Sequence, residues 1–265
     1  MRLTIRHTTR YQFSEPVSYG LQQLRKTPKT SHNQRVLRWS TMVEGGRKEL
    51  SFDDYHNNVV ELLSFDRGAT ELEVTSAGEV EITEAHGVVG RHLGPAPLWL
   101  YAQATDRTKA GPGVRGLVRE APGRGDVEKL HGLMHLVRDA IDYEVGASTP
   151  DWTAEQALEA GRGVCQDHAH VFLAAAKEMG YPGRYVSGYL MLNDRVEQEA
   201  MHAWAEIHVD GLGWVGFDVA NRVASDTRYV RVATGLDYAD AAPVTGTRIG
   251  GDGEALEVQI EVAQQ

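Results

Sequence analysis

Polar and less polar positions alternate from the start of the chain: Ile5, His7, Thr9 and Tyr11 interleave with Arg6, Thr8 and Arg10. A period of two sends successive side chains to opposite faces, the mark of a β-strand. Similar runs follow at 36–42, 59–65 and 71–83, the last with Leu72, Val74, Val80 and Ile82 around a Ser76-Ala77-Gly78 break. Short alternating runs joined by polar turns predict an antiparallel, sandwich-like β domain over 1–104.

Around residue 105 the pattern breaks. Gly111-Pro112-Gly113 and Ala121-Pro122-Gly123-Arg124-Gly125 interrupt regular structure, so 105–126 reads as a Gly/Pro-rich linker or flap. Beyond it the period changes to that of a helix. Leu130, Met134, Val137 and Ile141 form one stripe, with Asp126 as the expected N-cap. Thr153 and Gln156 form a capping box for a second helix ending at Gly161 or Gly163. A third helix is expected from Cys165 to Gly180, with Pro182 beyond and Ala169, Phe172, Ala176 and Met179 inward. Strands are expected again at 184–192, 202–209 and 212–218, with a last one through Leu256, Val258, Ile260 and Val262. Helices followed by antiparallel strands predict an α+β core over 127–265.

Composition narrows the function classes. The 265 residues carry a formal charge of −10, which argues against a nucleic-acid partner. No apolar run is long enough for a membrane helix, and the first residues lack a secretory apolar segment; no membrane partner and a cytoplasmic location are expected. The single cysteine excludes an intrachain disulfide and draws attention to that thiol.

Cys165 follows Gly161-Arg162-Gly163-Val164 and opens a predicted helix. A helix N-terminus favours an anion, and its free N–H groups can donate to an oxyanion. A lone cysteine is otherwise a small buried hydrophobe. A thiol nucleophile needs a base and an orienting group. In His202-Ala203-Trp204-Ala205-Glu206-Ile207-His208-Val209 the even positions share one face. A two-residue turn at Asp210-Gly211 would send Asp218 to the other face. A three-residue loop, Val209-Asp210-Gly211, pairs His208 with Leu212, Glu206 with Trp214, Trp204 with Gly216 and His202 with Asp218. That register lets Asp218 fix the imidazole tautomer.

Four segments then carry a resemblance: Gly163-Val164-Cys165-Gln166-Asp167-His168-Ala169-His170, Tyr181-Pro182-Gly183-Arg184-Tyr185-Val186-Ser187-Gly188-Tyr189, His202-Ala203-Trp204-Ala205-Glu206 and Gly213-Trp214-Val215-Gly216-Phe217-Asp218. Together they resemble the bacterial transglutaminase-like family of papain-like thiol enzymes. His7-Thr8-Thr9-Arg10-Tyr11, with Leu24-Arg25 and Pro28, resembles its N-terminal β domain. The resemblance implies Cys165 as nucleophile, His202 as base and Asp218 as orienter. Three departures stand out: His168 where the family has an aromatic, Asp218-Val219-Ala220-Asn221 where it has Asp-Pro-Thr-Asn, and His56 where it has glycine.

Other polar residues are weighed beside these. Gln166 is a candidate oxyanion donor, although papain's glutamine precedes its cysteine. Asp167 and His170 either line the cleft or bond to local backbone. Trp204 either packs or shields a thiolate–imidazolium pair. A zinc site from Cys165, His168, His170 and His202 conflicts with the opposed directions of residues two apart on a helix. The expected fold is α+β: an N-terminal antiparallel β-sandwich-like domain, then a transglutaminase/papain-like core with the cysteine's helix packed on an antiparallel sheet. The expected chemistry is thiol acyl transfer on a peptide, protein or small amide, without cofactor or metal, and with hydrolysis ahead of transfer to an amine. A binding domain that retains the fold is the non-enzymatic alternative, and homo-oligomerisation stays open.

Overall fold

The computed structural model describes residues 1–265. In chain order its strands begin with β1 (Arg2–Thr27), β2 (Gln34–Glu44), β3 (Gly46–Asp53), β4 (Val59–Phe65), β5 (Ala69–Ile82) and β6 (Val88–Gly90). Helices α1 (Pro112–Glu120) and α2 (Asp126–Ala140), strand β7 (Asp142–Tyr143), α3 (Ala154–Ala160), β8 (Arg162–Gly163) and α4 (Cys165–Glu178) come next. The chain closes with β9 (Gly183–Leu190), β10 (Glu197–Gln198), β11 (His202–Val209), β12 (Gly213–Asp218), β13 (Val223–Ala224), β14 (Tyr229–Gly235), α5 (Tyr238–Ala241), β15 (Val244–Gly250) and β16 (Ala255–Gln264).

The first sheet is antiparallel and curled around β1. Residues 3–12 of β1 pair with β16 on one side and β5 on the other; residues 21–24 pair with β15 and β4. The ladders change between Gln12 and Val17, where Pro16 lacks an N–H to give a ladder. Alternation is reflected in packing: Leu3, Ile5, Val80, Ile82, Ile260 and Val262 form one apolar cluster. The C-terminal strand thus completes the N-terminal sheet, joining opposite ends of the chain.

The second sheet runs β13-β12-β11-β9-β14, with β6 on β12. Helix α4 lies against it. Ala203, Ala205, Ile207 and Val209, the odd positions of β11, share a core with Val171, Phe172 and Ala175 of α4. The alternation of β11 therefore decides which face meets the helix and which stays polar.

Several local expectations change. Pro112-Gly113 opens α1 rather than breaking it, because proline is accommodated in the first turn, where its missing N–H is unused anyway. The helix is held by Glu155, whose carboxylate accepts from the N–H groups of Gly111, Gly113 and Val114. Gly125, not Asp126, is the N-cap of α2; the Asp126 carboxylate accepts from the Tyr181 hydroxyl at 2.7 Å. The Thr153–Gln156 capping box forms, and Gly161 ends α3 with φ 64°. Strand β3, with its charged sequence and exposed side chains, had no pattern to reveal it.

Candidate active site

Cys165 is the first residue of α4, half-buried, with a tight turn at one residue, Val164, between it and β8. That turn is fixed by Asp167. Its Oδ2 accepts from the Val164 N–H at 2.7 Å and from Ser148 Oγ at 2.6 Å, and the residue is 1% exposed. Asp167 therefore bonds to local backbone instead of lining a cleft. Gly163 is required beside it, since a Cβ there would lie 2.7 Å from the Asp167 Cβ. The N–H groups of Cys165 and Gln166 open α4 without an intrahelical acceptor, whereas that of Asp167 already bonds the Val164 carbonyl at 3.0 Å.

His202 opens β11, and its Nε2 lies 2.6 Å from Asp218 Oδ2. Nδ1 is then the nitrogen left for Cys165, whose sulfur is close enough to raise the imidazole's pKa. Burial works against a charged imidazole, but Asp218 and then Cys165 outweigh it and lift His202 to about 10. Asp218 is fully buried. Burial opposes its ionisation; the His202 charge and hydrogen bonds from His202, Asn221 and Tyr229 overcome it and hold the carboxyl below its usual range. Both shifts favour the charged forms, an imidazolium beside a carboxylate.

The hairpin achieves this in a register other than the expected one. His208 pairs with Trp214 and Glu206 with Gly216, so pairing is displaced by two residues and the loop is Asp210-Gly211-Leu212. Gly211 and Gly213 both take positive φ, 82° and 80°, and a side chain on Gly213 would strike the Gly90 carbonyl. A displacement of two preserves the face. The ladder stops at Ala205–Phe217, and His202 reaches Asp218 obliquely.

Three residues that sequence reasoning left unassigned complete the arrangement. Tyr229 Oη donates to Asp218 Oδ2 at 2.7 Å. Asn221 donates its side-chain amide to Oδ2 at 2.7 Å and its backbone N–H to Oδ1 at 3.2 Å. The turn after Asp218 thus closes on Asn221 despite Val219-Ala220. Tyr143, on β7, stands beside the thiol; burial, with the Cys165 charge next, pushes its hydroxyl up to about 12. Asn221 was visible in a departing motif, whereas Tyr143 and Tyr229 carry no local signal.

Other candidates sit nearby in different roles. Gln166 donates its amide to the Pro150 carbonyl at 3.1 Å. His170 is fully buried and its Nε2 accepts from the Tyr238 N–H at 3.1 Å; burial, against the opposing Asp237 charge, takes it down to about 3. His168 fills its aromatic position by stacking on Tyr143, with ring centroids 6.0 Å apart. Its Nδ1 and Nε2 lie 2.8 and 3.1 Å from the Val164 and Ile141 carbonyls. Trp204 is buried, stacks beside His202 and meets Tyr229 edge-on. His56 bonds Tyr101 and Asp240, and the positive φ in that turn belongs to Asn57.

Comparison with known proteins bears on the fold. Residues 115–219 match the transglutaminase-like superfamily and residues 3–81 the bacterial transglutaminase-like N-terminal region. An uncharacterized Mycobacterium leprae protein is 29% identical over 283 residues, spanning 99% of both chains. An uncharacterized Mycobacterium tuberculosis protein is 28% identical over 294 residues, spanning 98% of this chain and 92% of its own. Among solved structures, a proposed cysteine protease from Cytophaga hutchinsonii shares the fold with a TM-score of 0.81, at 19% identity over 99% of this chain and 90% of that one. The segment similar to the transglutaminase-like superfamily contains Cys165, His202 and Asp218.

Proposed function

We propose that the protein is a thiol acyl-transfer enzyme that hydrolyses a peptide or other amide bond, with Cys165, His202 and Asp218 as its triad. The observation that carries this reading is the His202–Asp218 bond at 2.6 Å, with the Cys165 thiol at a helix N-terminus near enough to raise the imidazole's pKa. Cys165 as thiolate attacks the carbonyl carbon, and the oxyanion is met by N–H groups at the start of α4. The C–N bond breaks as the proton on His202 Nδ1 passes to the leaving amine, leaving a thioester on Cys165. His202 then takes a proton from water, the hydroxide attacks the thioester, and carboxylate and thiol are released. Asp218 remains ionised throughout and keeps the ring oriented.

The test is the rate of iodoacetamide alkylation against pH for wild type, His202→Ala and Asp218→Asn. Wild type should react readily at pH 6 and the variants about tenfold or more slowly, within the range expected for removing an acid–base partner. The same protein, mixed with peptide p-nitrophenyl esters, should show an acyl adduct on Cys165 that hydroxylamine discharges. Superimposable profiles rising only near the ordinary thiol value of about 8.5, with no adduct, would overturn the proposal.

A further inference from the structure

A cavity lies beside the polar face of the second sheet, and Cys165 is not among the residues that line it. It has a volume of about 920 Å³ and opens between the first sheet's loops and the polar face of the second sheet. His208, in its wall, ends β11, while His202 begins it. Six residues of extended chain place the two about 20 Å apart. None of Cys165, His202 and Asp218 lines the cavity, although Arg231 and His202 both pair with Gly188, which puts their backbones about 10 Å apart.

The walls are cationic in a chain whose overall charge is −10. Lys29, Arg91, Arg184 and Arg231 line the space. Two carboxylates answer these four cations. Asp53 pairs with Lys29 at 2.7 Å, and Glu206 stands between Arg184 and Arg231. Glu206 is committed to Arg184, whose Nε donates to it at 2.7 Å. Arg184 also lies over the Trp214 ring at 4.1 Å, which holds its plane in place. Arg231 is left with the remainder: its Nε is 3.6 Å from Glu206 Oε1, too long for a hydrogen bond, and its guanidinium has no closer carboxylate. Its side chain is only 22% exposed. A guanidinium whose open donors face a cavity offers a planar fork to an oxyanion.

The backbone holds Arg231 to that place. Gln34 accepts from the Arg231 N–H at 2.9 Å and donates to its carbonyl at 2.8 Å. Asn58 does the same for Thr234, at 2.8 Å each way. Two amide side chains, Gln34 at the start of β2 and Asn58 in the loop before β4, thus hold β14 beside the cavity. A rigid concave space of this size with few convergent charges has the form of a small-molecule site.

We propose that this cavity binds a small molecule bearing a carboxylate or phosphate group, seated on the Arg231 guanidinium with Lys29 and Arg91 at the rim. The guanidinium fork matches both oxyanions, and a molecule rather than a lone ion fits the volume.

The test is isothermal titration calorimetry on the full chain in low-salt buffer, with citrate and pyrophosphate as probes and sodium chloride at matched ionic strength as control. Wild type should bind at least one probe saturably at a single site, and the tighter probe assigns the source as carboxylate or phosphate. Arg231→Gln should weaken binding by about tenfold or more, equivalent to about 1.4 kcal/mol, and exposed Arg91→Gln by less. Cys165→Ala should bind as wild type does. Without ligand, Arg231→Gln leaves Arg184 and Glu206 as a balanced pair, so its melting temperature should equal or exceed that of wild type. A structural arginine would instead melt lower on removal. No saturable binding of either probe at millimolar concentration, or binding unchanged in both arginine variants, would overturn the proposal.

Discussion

At the scale of single residues, Asp218 is the point on which the candidate site turns. A buried carboxylate is stable only if its lone pairs are met. Here His202, Tyr229 and Asn221 meet them, at 2.6, 2.7 and 2.7 Å on Oδ2 alone. Burial and then the Asp218 charge raise the Tyr229 hydroxyl above its usual pKa, so it stays protonated and acts as a donor. A hydrogen bond to a charged group is worth about 1.5–3 kcal/mol. Tyr229→Phe should therefore lower stability in denaturant by about that amount and slow alkylation of Cys165 at pH 6 by about tenfold, since 1.4 kcal/mol is a factor of ten. Wild-type stability together with wild-type reactivity would refute this role. The residues with a chemical signature, Cys165, His202 and Asp218, were legible because glycines, a helix start and strand parity surround them. Tyr229 was not: it reads as any strand aromatic, and only the β9–β14 pairing carries it to Asp218.

Strands and helices were legible where side chains face two different environments. β4 and β11 alternate, and their predicted and observed spans coincide. β3 is exposed along nearly all its length and gives no such contrast. The β11–β12 register failed for a different reason. Sequence offered two loops and the structure takes a third, Asp210-Gly211-Leu212, in which Gly213 fits against Gly90, a contact with a distant strand. Parity survived, and parity decides whether Asp218 can reach His202. β9 makes a comparable demand from the other side. Gly188 pairs with His202, and a Cβ there would lie 2.2 Å from the Val230 carbonyl and 2.5 Å from the Trp204 ring. Gly188→Ala should cost about 1–3 kcal/mol through overpacking and should also slow Cys165 alkylation, because the strand carrying His202 must shift. Gly146→Ala is a control at a glycine with open space around it; a positive φ of 79° strains it, but it lies outside this ladder. Equal alkylation rates in Gly188→Ala and wild type would show that the ladder does not position His202.

At the scale of the whole molecule, the two sheets are joined through buried polar groups that composition could not reveal. Lys26, 1% exposed on β1, donates to Thr9 Oγ1; Thr9 contacts His7 Nε2, and His7 Nδ1 contacts the Tyr189 hydroxyl on β9. Burial brings Lys26 down to about 7, and burial with the Lys26 charge holds His7 well below its usual value. The sign of the resulting pH dependence follows from proton counting. Between about pH 7 and the unfolded lysine value of about 10.4, the unfolded chain binds a proton at Lys26 that the fold does not. Stability from this group therefore rises with pH across that window and is constant below it. His202 works in the opposite sense: its raised value gives stability that is complete below about 6.5 and lost as pH rises through about 10. Comparison of wild type with Lys26→Met cancels the His202 contribution, since both proteins retain it. Lys26→Met should melt above wild type at pH 7, and the gap should narrow steadily toward pH 10, near the unfolded lysine value of about 10.4. Melting curves at pH 7, 8.5 and 10 measure it. A gap independent of pH would mean that Lys26 keeps its proton in the fold, and the link between the sheets would then be a charged one.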